Sequence, residues 1–197
     1  MLSRMARWEP NAGERLRQAA WELFHEHGYA DVTIADIAAR AGLTKRTFFN
    51  HFTDKREVLF AGAQAFEANV RAYAAEADGA LSPIETAVSA LTRAGQDLAQ
   101  FSATVAVRRD LIASSTELQE RSLNKTAALT AALTSALVER EVPERTAALA
   151  AQAAVVAFNT AYDDWADEPG ADFSTLIQRA LSDLREAVRG ALDDVPA

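Results

Sequence analysis

Thr44, Lys45, Arg46, Thr47 and Asn50 form a tight group of side chains suited to reading another molecule's hydrogen-bonding pattern. A Lys or Arg can donate to the O6 and N7 edge of guanine. Asn can pair with adenine, and a Thr methyl can touch the methyl of thymine. These contacts need the five residues at the start and on the outer face of one helix, where its N-terminal part can meet base edges in a major groove.

The flanking sequence supplies elements that would hold such a helix. Thr33 is a good N-cap for a helix from Ile34 to Arg40, with Asp36 three residues on, where an acid favours a helix start. Ala38 and Ala41 are small enough for two short helices to cross closely, and Gly42 can take the positive φ of a tight inter-helix turn. Ile34, Ile37, Leu43, Phe48 and Phe52 would fill the small core between them. Thr44 caps the second helix, expected from Lys45 to about His51. Ahead of this pair, Leu16, Ala19, Ala20, Leu23 and Phe24 recur at helical spacing, and Gly28 suits the end of that helix. Asp54 caps a further helix expected from Lys55 to about Ala77. Spacing alone leaves a plain helical hairpin with a polar outer face open.

Taken in order, residues 16–59 resemble the TetR family of bacterial regulators. The resemblance rests on Ala19-Ala20-x-x-Leu23-Phe24 with Gly28-Tyr29 after it, then Thr33-x-x-x-Ile37-Ala38 and Ala41-Gly42-Leu43-Thr44. It continues through Thr47-Phe48-Phe49-x-His51-Phe52 and ends at Asp54-Lys55-x-x-Val58-Leu59. It implies a homodimer whose two recognition helices enter successive major grooves of palindromic double-stranded operator DNA. On the matching positions it implies that Thr33 and Lys55 bind phosphates, that Lys45, Arg46 and Thr47 face bases, and that His51 sits near the DNA backbone. Phe49 stands where the family usually has Tyr. Without a hydroxyl to reach a phosphate, Phe49 is assigned to packing against sugar or a thymine methyl. Asn50 completes the reading face, and Arg4 and Arg7 are read as a disordered tail ahead of the first helix, with a minor-groove arm as the alternative.

The net charge of −8 divides unevenly: residues 1–60 carry nine basic and eight acidic side chains, so their +1 leaves −9 for the remainder. A locally basic head on an acidic body permits DNA binding, because phosphate contacts depend on the charges facing the duplex. With no cysteine there is neither a disulfide framework nor a thiolate site. The N-terminal residues hold no apolar run of signal-peptide type, and the longest uncharged stretch, 146–162, is too short and alanine-rich for a membrane span. A cytoplasmic protein without membrane contact is expected. His25 and His27 point apart at a helix end, so no metal site is assigned. Asp163, Asp164, Asp167 and Glu168 are read as a solvated helix end. Ser114, Ser115 and Thr116 have no histidine in the C-terminal part to activate them. No enzyme activity and no cofactor are expected.

The overall expectation is an all-α chain of about nine helices. Residues 1–56 would form a three-helix helix-turn-helix DNA-binding domain, and residues 57–197 a larger helical domain for ligand binding and dimerisation. After residue 79 the sequence predicts helices at about 83–100, 101–113, 117–139, 144–164 and 172–192. Phe66, Tyr73, Phe101, Phe158, Tyr162 and Trp165 are candidates to line a pocket, with Arg108 and Asn159 as its polar groups. The resemblance implies an unidentified small-molecule effector. Ala147, Ala148, Ala151 and Ala154, with the apolar stripe from Phe173 to Leu192, point to a homodimer through the last two helices. A ligand-responsive repressor is the reading adopted, with the segment 55–77 as the lever between head and body. The alternatives left open are a binding or interaction module with a vestigial helix-turn-helix, and an activator.

Overall fold

The computed structural model describes residues 11–98 and 102–193; Arg4, Arg7 and Phe101 lie outside these residues. The described residues form ten helices and no strand. They are α1 (Ala12–His27), α2 (Ile34–Arg40), α3 (Lys45–His51), α4 (Lys55–Leu59), α5 (Ala63–Glu76), α6 (Pro83–Asp97), α7 (Ser102–Ala113), α8 (Thr116–Glu139), α9 (Glu144–Asp167) and α10 (Phe173–Asp193).

Two hydrophobic cores organise them. In the head, Leu16, Ala20 and Phe24 of α1 meet Ile37, Phe48 and Val58, with Ile34, Leu43 and Phe52 half-buried against them. Leu111 of α7 and Leu118 of α8 belong to this same cluster, so the body supplies part of the head's packing. In the body, α9 lies at the centre of α6, α7, α8 and α10. Its alanines explain the fit, because small side chains let helix axes approach closely. Ala147, Ala151 and Ala154 are fully buried inside the subunit. With Ala148 they were assigned to a dimer surface from sequence; for these three that assignment is corrected, since they are consumed by packing within one chain, while Ala148 is half-buried. On α10, Phe173, Leu176, Ile177 and Leu181 are likewise buried.

A second correction concerns the helix expected from Lys55 to Ala77. The chain breaks after Leu59, turns through Phe60, Ala61 and Gly62 (φ 93°), and starts again at Ala63. Gly62 takes a left-handed conformation costly for other residues, so the turn is set locally. Head and body are therefore joined by two helices with a corner between them, not by one rigid rod.

Candidate DNA-reading face and ligand cavity

The turn between α2 and α3 is closed by backbone bonds. Gly42, at φ 66°, donates to Ala39 O at 2.9 Å and Leu43 N donates to Ala38 O at 2.8 Å, the paired bonds of a Schellman ending. Arg15 of α1 donates to Ala41 O at 2.6 Å and fixes the same corner from outside. At the start of α2, Thr33 and Asp36 form a reciprocal capping box. At the start of α3, Thr47 N donates to Thr44 Oγ1 at 3.1 Å.

These supports leave the outer face of α3 available. Lys45, Arg46 and Asn50 are exposed and make no hydrogen bond or ion pair among the described residues. Thr47 is half-buried beside them. Phe49 is 56% exposed, an uncommon position for a large apolar ring, and stands edge-on to the buried Phe48. His51 is exposed with its ring beside Gly13 of α1. Thr33 is exposed at the start of α2.

Lys55 has a role the sequence did not reveal. Its ammonium donates to Tyr29 O at 2.6 Å and to Val32 O at 2.8 Å, and lies 4.0 Å from the centre of the Tyr29 ring. It thereby ties the loop between α1 and α2 to the start of α4. Burial pulls the Lys55 ammonium below its usual range and pushes the Tyr29 phenol up to about 12, with the Glu117 carboxylate of α8 adding to the latter. Asp54, the N-cap of α4, accepts from Arg56 N and Glu57 N, and the Arg56 guanidinium holds its carboxyl below the ordinary range.

A cavity of about 860 Å³ opens where the head meets the body, within the size range of small-molecule sites. Of the residues singled out from sequence, Phe66, Arg108, Phe158, Asn159 and Tyr162 line it together. Phe66 and Phe158 rings pack at 5.4 Å between centres, and Phe158 stacks on Tyr162 at 6.1 Å. Arg108 lies 5.1 Å from the Phe60 ring centre and 5.8 Å from that of Tyr162, and makes no hydrogen bond or ion pair among the described residues. Lys125 of α8 also lines the cavity, with its nearest carboxylate, Glu57, at 3.9 Å.

Two candidates fall outside this wall. Tyr73 turns away to donate to Asp97 at 2.6 Å under the Arg93 guanidinium. Trp165 is 2% exposed, packed against Phe173 and Tyr162, with its indole N–H unpartnered. Both were read from sequence as pocket residues; Tyr73 lies half-buried against the body's core with Arg93 over its ring, and Trp165 is buried within that core. The acidic cluster is held by arginines, Arg109 to Asp167 at 2.8 Å and Arg179 to Glu168 at 3.0 Å. Among the described residues no three His, Asp or Glu side chains gather as a metal site, and no helix is long and apolar enough to cross a membrane.

Sequence reading missed the contribution of the head to the cavity. Glu14, Arg17, Gln18 and Trp21 of α1 all line it, as do Val58, Leu59 and Phe60. The one available signal was Trp21, a large aromatic displaced from the core stripe of its helix.

Residues 16–61 match the family of bacterial regulatory proteins of the tetR family, and residues 81–189 match the MftR C-terminal domain. A curated relative from Mycobacterium tuberculosis, named as the mycofactocin biosynthesis transcriptional regulator MftR, is 36% identical over 56 residues. That match spans 28% of this chain and 28% of the relative's length. Among solved structures, a TetR-family transcriptional regulator from Syntrophomonas wolfei superposes with a TM-score of 0.63 at 19% identity, covering 89% of this chain and 93% of that one. The Thermus thermophilus FadR, a repressor solved with lauroyl-CoA, does so with a TM-score of 0.53 at 21% identity, covering 88% and 93%. At these identities the structural likeness speaks for the fold.

Proposed function

The chain belongs to the TetR family of bacterial regulatory proteins, and from that premise we propose that it is a ligand-responsive transcriptional repressor of the cytoplasm. It binds a palindromic operator as a homodimer and is released by an amphipathic anion. The observation that carries this reading is a single one: the cavity sits at the seam between the body and the helix-turn-helix, so its occupancy bears directly on where the reading face points.

The reading face has the chemistry for bases. Lys45, Arg46 and Asn50 offer unpaired polar groups at the start and outer side of α3, and Phe49 offers an apolar ring to a sugar or thymine methyl. Thr33, whose hydroxyl is given to Asp36 in the free protein, and His51, exposed at the end of α3, are assigned to the DNA backbone. Two such heads need a fixed separation of roughly 34 Å to meet successive grooves. Leu149 and Val156, seven residues apart on α9, are 61% and 53% exposed, and Val188 on α10 is 51% exposed. These outward apolar residues, and not the buried alanines, are the dimer surface we assign to the last two helices. We set the division between reading head and sensing body at the corner after Phe60 rather than at the expected residue 56, because Val58, Leu59 and Phe60 pack in the head's core.

The effector class follows from the cavity wall. Phe66, Phe158 and Leu129 favour an apolar portion. The charged lining is mixed, Glu14, Glu67 and Asp97 against Arg17, Arg108 and Lys125. With Glu14 taken by Arg17 and Asp97 by Tyr73, Arg108 is the cation that favours a negative group. Lauroyl-CoA, the molecule held by the Thermus thermophilus FadR, has this build and is a suitable first probe. The test is selection of bound duplexes from a random library, with Arg46→Ala as control, followed by titration of lauroyl-CoA into the complex. An enriched palindrome that blurs in the control and is released by the probe is the expected result. No enrichment at low salt from a folded dimer would sink the repressor reading and leave a binding module with a vestigial head.

A further inference from the structure

Glu14, Arg17, Gln18 and Trp21 are spaced i, i+3, i+4 and i+7 along α1, and all four line the cavity. That spacing places them on one helical face. It is a different face from the one formed by Leu16, Ala20 and Phe24, which is buried in the head's own core. The first helix of the reading head therefore has two duties: one side holds the helix-turn-helix together, and the other closes a cavity whose remaining walls come largely from the body.

The chemistry of the two sides of that cavity differs. The body contributes every large apolar side chain opposite α1, Phe66, Leu98, Leu129 and Phe158, interleaved with polar ones such as Arg108, Lys125 and Asn159, whereas α1 contributes only carboxylate, guanidinium, carboxamide and indole. Glu14 and Arg17 neutralise each other at 2.6 Å. Gln18 gives one long bond, 3.2 Å, to Glu22, so its carbonyl oxygen retains acceptor capacity. Trp21 is half-buried against the head's core, and its indole N–H makes no hydrogen bond among the described residues. A molecule with an apolar tail in the body meets a hydrogen-bonding surface at its other end.

We infer that the effector is held across the seam: its apolar part lies among Phe66, Phe158 and Leu129 of the body, and its polar part lies against Gln18 and Trp21 of the head. This rests on the proposed effector class and adds to it a second subsite, on the DNA-binding unit itself. The consequence is mechanical. Elsewhere the seam is closed, by Leu111 and Leu118 in the head's core and by the Arg56–Glu117 and Arg121–Glu57 ion pairs. A ligand spanning the open part bonds to both units at once, so its binding free energy depends on their relative orientation, and that dependence is what can shift the population of head positions. A ligand touching the body alone would need an intermediary to do so.

The experiment compares two probes that share a tail and differ in the polar end, lauroyl-CoA and laurate, by calorimetry on the full dimer, wild type and Gln18→Ala. Gln18 is exposed and alanine is a strong helix former, so this variant keeps α1. Loss of one ligand hydrogen bond should weaken lauroyl-CoA about fivefold and leave laurate within about twofold of wild type. Tryptophan emission gives an independent readout, shifting on addition of lauroyl-CoA, with the shift abolished in Trp21→Phe. Equal effects of Gln18→Ala on both probes, or none on either, together with an emission change that survives in Trp21→Phe, would overturn the second subsite while the effector class stands. Failure of both probes to bind wild type would overturn the effector class, and the subsite with it.

Discussion

Arg121 of α8 donates through Nε to Glu57 Oε1 of α4 at 2.6 Å, joining two residues sixty-four positions apart and fastening the sensing body to the reading head. The guanidinium engages the same carboxylate a second time through its terminal nitrogen, leaving Lys125 as a more distant neighbour at 3.9 Å. One helical turn earlier on α8, Glu117 pairs with Arg56 at 3.2 Å. The joint is thus a short ladder of opposite charges between the N-terminal turns of α8 and Arg56 and Glu57 of α4, beside the buried Leu118.

A double-mutant cycle of Glu57→Gln and Arg121→Gln should show a coupling energy of about 1 kcal/mol in denaturant unfolding. The pair is only partly shielded from water, which keeps the figure at the level of a good surface bridge. Either single variant should also speed amide exchange in α4 ahead of α9. Additive single effects would mean that the two side chains do not act as a unit.

Gly95 on α6 permits a contact no other residue allows. A Cβ placed there would lie 2.1 Å from Cε1 of the buried Phe173 ring at the start of α10. Gly95→Ala must displace that ring, which also packs on Phe158 and Trp165. Overpacking of this kind costs about 1–3 kcal/mol, read as a fall in unfolding midpoint, and Phe173→Leu in the same chain should return part of it. A Gly95→Ala variant as stable as wild type would contradict the packing described.

Much of the head was legible because its determinants are local. Thr33, Gly42, Thr44 and Asp54 each act on backbone within a few residues, and each performs the capping or turning duty its type and position suggested. The break at Gly62 escaped notice because glycine is tolerated inside helices and nothing adjacent to it announces a turn. The cavity was half legible. Phe66, Phe158 and Tyr162 stood out as aromatics, but which of them face empty space depends on how α5, α7 and α9 meet. The polar wall of α1 looked like an ordinary solvated face, since no spacing rule says that a second domain will roof it. The alanines of α9 were misassigned for a related reason: small residues suit any close helix contact, and sequence does not say whether the partner helix is in the same chain.

Lys55 gives a test that separates structure from DNA contact. With two carbonyls and an aromatic face around its ammonium, Lys55→Met should destabilise the head by about 1.5–3 kcal/mol, the range for hydrogen bonds to a charged group. Arg46→Ala, at an exposed position without partners, should leave the unfolding midpoint unchanged and relax base preference at one step of each half-site. Equal midpoints for the Lys55 variant and wild type would return Lys55 to a purely phosphate-facing role.

Glu141 follows α8 at φ 65°, a left-handed conformation, where Glu141 N donates to Val138 O at 2.9 Å and Val142 N to Leu137 O at 3.2 Å. This is the same ending that Gly42 supplies to α2, formed here by a residue with a Cβ. The left-handed conformation costs an L-residue about 1–2 kcal/mol, and glycine's extra chain entropy returns about half of that. Glu141→Gly should therefore stabilise the body by about 0.5–1 kcal/mol, seen as a higher unfolding midpoint. A lower midpoint would show that the Glu141 side chain does more at this corner than its geometry indicates.

Acid should loosen the caps, with a sign that follows from their carboxylates. Asp36 is held below its ordinary range first by the Thr33 hydroxyl, Asp54 by the Arg56 guanidinium, and Glu85 by the Ser82 hydroxyl at the start of α6. Each binds its proton less readily in the folded chain than in the unfolded one. Their stabilisation is present in full above the ordinary carboxylate range and is lost as pH falls through the depressed native values. Unfolding free energy should stay level from neutrality to about pH 5 and decline below it. Asp36→Asn and Asp54→Asn, which keep a capping oxygen but cannot titrate, should each make the acid limb shallower. An acid limb of unchanged slope in both variants would place the titration elsewhere, among groups that do not hold the starts of α2 and α4.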